Sequence, residues 1–130
     1  VVPNADITFD PPQPLSYAFA SDTMYVPETA QYTKEVTLLY HESTFCEDKV
    51  ERAKQTMHST AKEAARVARD ASANHLLIGH YSARYKDLDQ FEKEAKEVFP
   101  NTLRARELHA YKVSEKGIQV KNLRERTYEE

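Results

Sequence analysis

Cysteine is nearly absent: Cys46 stands alone in 130 residues. It cannot close an internal disulfide or build a cysteine-based zinc knuckle, and such a chain suits a reducing compartment, so cytoplasm is the expected location. A basic excess is missing as well. The formal net charge of −3 and a pI near 6.0 exclude the global positive field that nucleic-acid binders carry, so any RNA contact is expected to be local. No apolar run approaches a membrane span, and Val1-Val2-Pro3-Asn4-Ala5-Asp6 is not a basic-then-apolar leader, so a soluble protein without membrane partners is expected. Internal repeats and low-complexity tracts are also lacking. What remains is a 40% hydrophobic share spread along the chain, enough for one core and one domain.

The first fifteen residues hold Pro3, Pro11, Pro12 and Pro14 and show almost no periodicity, which predicts an extended lead-in over 1–14 and a folded unit over 15–130. Leu15 to Ala20 reads as a short buried strand ended by the turn Ser21-Asp22-Thr23. Pro27 suits the first turn of a short helix reaching about Thr33. Val36 to Tyr40 is nearly continuous in β-branched and aliphatic residues, as a strand covered on both faces would be, with His41 and Glu42 following at its end. After His58, Thr60 and Glu63 form a capping box, and Ala61, Ala64, Ala65 and Ala68 fall on one helical stripe. His75 to Gly79 is a third strand delivering His80 at its tip. A second amphipathic helix begins near Asp87, with Leu88, Phe91, Ala95 and Phe99 inward, and stops at Pro100. Leu103 to Val113 and Ile118 to Val120 read as strands around Gly117. The alternation of strand and helix predicts an α/β fold.

The chemistry-bearing residues collect where these apolar runs end. Asp22, the pair His41 and Glu42, and His80 lie at three strand tips, and His58 lies where a helix opens. In an α/β sheet, carboxylates and imidazoles at neighbouring strand tips converge on one edge, which suits a metal or catalytic site. Each residue has a plainer reading alone: Asp22 as a turn or cap residue, His80 as a structural histidine, His58 as an ordinary helix-start residue, and Tyr81 and Tyr85 as core edges. His75 and His109 read as structural or solvent-facing. The Glu and Lys alternation over 91–97 reads as a solvated helix face. Conjunction favours the functional reading.

The succession Ser-Asp-Thr, His-Glu-Ser-Thr-Phe, His-Ser-Thr-Ala opening an alanine-rich helix, His-Tyr-Ser-Ala-Arg-Tyr and Phe-Pro-Asn-Thr resembles the C-terminal half of ribonuclease Z. That family is the tRNA 3′-processing endoribonuclease branch of the metallo-β-lactamase superfamily. The resemblance runs from about Pro3 to Leu108, and the joint spacing of Asp22, His58 and His80 fits it. It implies the C-terminal half of an αββα sandwich. By resemblance, Asp22 bridges two zinc ions and His80 is the last histidine ligand of one of them. His58 gives a proton to the leaving oxygen, and Glu42, from a His-Glu-Ala-Thr motif altered here at Ser43, orients His58. Ser21 stands where a glycine is common. Arg84 is a candidate phosphate contact, with a structural arginine as the equal alternative. Between Arg104 and Arg126 a basic stretch could add phosphate contacts, although a solvated surface is the plainer reading.

The family's His-x-His-x-Asp-His motif occurs nowhere in these residues. A zinc catalytic site takes about three protein ligands per ion, and the pattern supplies only Asp22 and His80, so the chain alone is expected to bind zinc weakly or not at all and to be inactive. The resemblance thus implies part of a two-zinc endoribonuclease that removes the 3′ trailer of precursor tRNA by phosphodiester hydrolysis. Its expected partners are that tRNA and the missing N-terminal half. An uncovered sheet face would also drive self-association. Two alternatives stand beside this reading: another phosphodiesterase of the metallo-β-lactamase fold, and a non-catalytic structural or subunit-pairing fragment.

Overall fold

The computed structural model describes residues 1–125. Its centre is a four-stranded, all-parallel sheet in the order β1 (Tyr17–Ala20), β2 (Leu38–Glu42), β3 (His75–Gly79) and β4 (Thr102–Arg104). Parallel neighbours need crossovers. These are α1 (Thr29–Tyr32) between β1 and β2, α2 (Val50–Thr56) and α3 (Ala61–Asp70) between β2 and β3, and α4 (Asp89–Val98) between β3 and β4. An antiparallel hairpin of β5 (His109–Ser114) and β6 (Gly117–Asn122) closes the described part. The architecture is α/β, as the alternating pattern predicts.

One face of the sheet is covered by helices. Ala61, Ala64, Ala65 and Ala68 of α3 are all fully buried, and they join Leu39, Leu76, Ile78, Phe91 and Ala95 in one cluster. Small residues on that stripe let the helix axis approach the strands closely. Tyr81 and Tyr85 pack edge-on to Phe91, at ring-centroid distances of 4.9 and 4.8 Å, so both tyrosines serve the core's rim. The opposite face carries Tyr17 and Phe19, which stay 59% and 65% exposed although Phe19 stacks on Tyr40 at 4.7 Å. At Gly79 the Tyr40 ring lies against the backbone, with ring carbons 2.9 Å from where a Cβ would stand. Among the described residues no helix is long and apolar enough to cross a membrane.

Four boundaries differ from the sequence pattern. β1 and β2 start two residues later than the apolar runs, because Ser16 and Thr37 exchange side-chain bonds, each hydroxyl accepting from the other's backbone N–H at 3.0 Å. β2 in turn runs through His41 and Glu42, which are strand residues paired with Ile78 and Gly79 and do not follow the strand. The run from Leu103 to Val113 is not one strand. Ala105 N–H still bonds the Ile78 carbonyl at 2.8 Å, but Leu108 takes a left-handed φ of 57° and the chain leaves the sheet for the hairpin. The α2 helix has no counterpart in the pattern, since only Ala53 of it is buried.

Candidate catalytic and metal site

In a parallel sheet all carboxyl ends lie at one edge, where α/β proteins bind ligands. Asp22 lies two residues beyond β1, Glu42 ends β2, and His80 immediately follows β3. Asp22 and His80 both adopt left-handed backbone conformations, with φ of 50° and 63°, which turn the chain sharply at the strand tips. Non-glycine residues rarely hold that geometry without surrounding support. His58 arrives from the loop between α2 and α3, two residues ahead of the Thr60 cap. That cap is a complete capping box: Glu63 N–H donates to Thr60 Oγ1 at 3.2 Å, and Thr60 N–H donates to Glu63 Oε2 at 2.9 Å.

Asp22 Oδ1 lies 3.3 Å from His80 Nε2, and the His58 and His80 rings stack with centroids 5.3 Å apart. Potential ligand atoms of Asp22, His58 and His80 all fall within 4.8 Å of one another. Two donors on one tetrahedral zinc, each about 2.0–2.1 Å from the ion, stand about 3.3 Å apart, so the Asp22 and His80 atoms have the spacing and the O/N chemistry that zinc accepts.

Beneath this trio sits Glu42, fully buried. Its Oε1 accepts from Thr23 N–H at 2.9 Å and lies 2.6 Å from His58 Nδ1. Its Oε2 accepts from Thr44 Oγ1 at 2.6 Å, Thr44 N–H at 3.2 Å and Ser59 N–H at 3.1 Å. Burial alone would raise its carboxyl pKa, but the bonds from Thr44, His58 and Ser59 outweigh that and hold it below the ordinary value. The ionised carboxylate therefore ties together the loops that carry Asp22, His58 and, through the Thr44 hydroxyl 2.9 Å from His80 Nδ1, His80. Ser59 Oγ adds a 2.7 Å bond to the Thr23 carbonyl, and Ser82 N–H one of 2.9 Å to the Thr44 carbonyl.

The expected convergence is incomplete in one respect. Strand alternation puts His41 on the helix side with Leu39, fully buried, with its Nδ1–H donating to the Glu42 carbonyl at 2.8 Å. Burial pushes its pKa down. Arg84 is exposed on the loop after β3, and its guanidinium has no ion-pair partner among the described residues. Arg104 is engaged elsewhere, 2.7 Å from Asp89 Oδ1, while Arg126 lies outside the described residues. His75 is half-buried, and His109 Nδ1–H donates to the Glu107 carbonyl at 2.9 Å. Cys46 is buried, and burial raises its thiol pKa to about 12, so it is unreactive. Thr23, Thr44 and Ser59 received no role from the sequence. Their only signal is position, since each neighbours or nearly neighbours a residue of the trio or Glu42.

Ribonuclease Z of Porphyromonas gingivalis is 50% identical over 107 residues, which is 82% of this chain and 35% of that relative. The chain is homologous to ribonuclease Z. It spans about a third of the length of the ribonuclease Z relatives it matches. The metallo-β-lactamase fold protein YhfI of Bacillus subtilis aligns with a TM-score of 0.61 and 28% identity, over 66% of this chain and 34% of that one. A long-form RNase Z from yeast shares the fold at a TM-score of 0.54 and 21% identity, over 75% of this chain and 12% of that one. The sheet and its helices therefore form part of a metallo-β-lactamase fold. No protein-family profile matches the chain.

Proposed function

We propose that the chain supplies one side of the active site of a zinc-dependent endoribonuclease that removes the 3′ trailer of precursor tRNA by phosphodiester hydrolysis. The observation that carries this reading is the buried Glu42 carboxylate holding His58 Nδ1 at 2.6 Å beside the paired Asp22 and His80. Asp22 and His80 would hold zinc, with Asp22 shared between two ions. When bound, the metal supplies Lewis-acid stabilisation of charge at the scissile phosphate.

The chain's own residues divide the remaining work. Ionised Glu42 only accepts hydrogen bonds, so His58 Nδ1 carries hydrogen and its Nε2 is the atom that presents a proton to the leaving oxygen. The His58 side chain is 23% exposed and Glu42 is not, so the proton donor faces the substrate while its orienting partner stays dry. Arg84, exposed on the loop after His80 and without an ion-pair partner among the described residues, would meet a substrate phosphate.

With two ligands of the pattern in hand, the chain acts together with a polypeptide carrying the His-x-His-x-Asp-His motif, and alone it is inactive with little zinc. The exposed Tyr17 and Phe19 face supports docking of that second part, or pairing of two copies in its absence. A cytoplasmic location accords with precursor tRNA as substrate.

The deciding experiment is cleavage of a 3′-extended precursor tRNA by the chain alone and after refolding with a polypeptide bearing the upstream motif. Activity only in the mixture supports the proposal, and activity of the chain alone refutes the ligand assignment. A second reading, another phosphodiesterase of the same fold, draws on the likeness to YhfI. Cleavage of a small phosphodiester but not of precursor tRNA by the mixture would favour it. Inactivity toward both would favour a structural fragment.

A further inference from the structure

We infer that Thr44 is a positioning residue: its hydroxyl relays the Glu42 carboxylate to His80 and fixes which ring nitrogen of His80 is left free for a cation. The inference rests on the proposed reading of Asp22 and His80 as cation ligands.

The direction of each hydrogen bond follows from what each atom can do. Glu42 is an ionised carboxylate and accepts only, so the Thr44 hydroxyl spends its single hydrogen on Glu42 Oε2 at 2.6 Å. The same oxygen lies 2.9 Å from His80 Nδ1 and has only lone pairs left to offer. His80 must therefore carry its hydrogen on Nδ1. In the neutral ring Nε2 is then a lone pair, and it is Nε2 that faces Asp22 Oδ1 at 3.3 Å. Two acceptors at that distance repel unless positive charge lies between them, and a cation bound by both supplies it. Thr44 is 7% exposed, so water competes poorly for its hydroxyl.

One carboxylate thereby sets both imidazoles. Glu42 Oε1 takes the Nδ1 hydrogen of His58 directly, and Oε2 takes the Thr44 hydrogen that obliges His80 to donate in the same sense. In both rings Nδ1 is thereby engaged, and in His80 it is Nε2 that faces Asp22. Outer partners of this kind usually change metal affinity by ten- to a hundredfold when removed.

Thr44→Val removes the hydroxyl at nearly constant volume and keeps the backbone bond from residue 44 to Glu42, and Thr44→Ser restores the hydroxyl. Nitrogen-15 NMR of the histidine rings at pH 8 reads the tautomers in the chain itself, and competition with a zinc chelator reads affinity for Zn²⁺. In the natural chain His80 is expected to carry hydrogen on Nδ1. In Thr44→Val the His80 ring should shift toward the other tautomer and zinc binding should weaken about tenfold or more. His58 should keep its signals, and Thr44→Ser should recover both properties. A natural chain with His80 protonated on Nε2, or a folded Thr44→Val variant with unchanged His80 tautomer, overturns the inference. Since the tautomer is read without RNA or metal, failure of tRNA cleavage, which bears on the proposed function, would leave this result separately legible.

Discussion

Glu42 Oε1 stands 2.6 Å from His58 Nδ1, joining a residue that ends the second strand to one that precedes the third helix. The bond matters because the carboxylate has no exposed surface and five hydrogen-bonded contacts with Thr23, Thr44, His58 and Ser59 converge on it. Three loops are thereby fixed before any ligand is present, which is the preorganisation a catalytic edge needs.

Glu42→Gln tests that dependence. The amide keeps the shape but turns one acceptor into a donor, so at least one of the surrounding N–H or O–H groups loses its partner in a dry place. We expect a loss of about 1–3 kcal/mol in urea unfolding, with the fold retained. Unchanged stability would show that water replaces the lost acceptor and that Glu42 is not the tie between the loops.

His58→Ala and Asp22→Ala should separate proton donation from metal holding. In the reconstituted enzyme, His58→Ala is expected to slow cleavage by about 10²- to 10⁴-fold while sparing bound zinc. Asp22→Ala should lose both. Equal zinc loss in the two variants would place His58 among the ligands, which the clustering of its ring with Asp22 and His80 permits geometrically.

The capping box at Thr60 and the alanine stripe after it were legible because short-range chemistry and helical period point the same way there. The strand His75–Gly79 was legible from its apolar run and from the glycine before His80. By contrast, α2 buries only Ala53, so no periodic signal marks it, and the break at Leu108 occurs without glycine or proline. His41 shows the limit for the site: a two-residue motif names His41 and Glu42 together, but strand alternation sends them to opposite faces. The roles of Thr44 and Ser59 depend on which oxygen of Glu42 they reach, a matter of three dimensions that spacing along the chain does not carry.

Phe19→Gln should weaken pairing through the part of the sheet face that carries the exposed Tyr17 and Phe19. Phe19 is 65% exposed and stacks on Tyr40, so a partner that covers this face would bury most of its ring. Replacing it should weaken self-association of the isolated chain, or docking of the upstream polypeptide, about ten- to a hundredfold in sedimentation equilibrium. A variant that associates as strongly as the natural chain would move the interface elsewhere.

His41 should make stability fall in mild acid. Its Nε2 is buried with no hydrogen-bond partner among the described residues, and burial, only partly offset by the Glu42 carbonyl and carboxylate, lowers its pKa from the ordinary 6.5. The unfolded chain takes up a proton near pH 6.5 that the folded chain refuses until lower pH. Stability is therefore fully present above about pH 6.5 and declines as pH falls toward the folded-state value, by up to about 1.4 kcal/mol per pH unit for this one proton. His75, lowered by burial as well, adds in the same sense. His41→Leu removes the first contribution while keeping an apolar side chain on the helix face. Urea unfolding of both proteins between pH 7 and 5 should show a shallower decline for the variant, whatever its absolute stability. Parallel curves would mean that His41 finds a way to protonate in the folded state, and that the apolar packing around it opens to water.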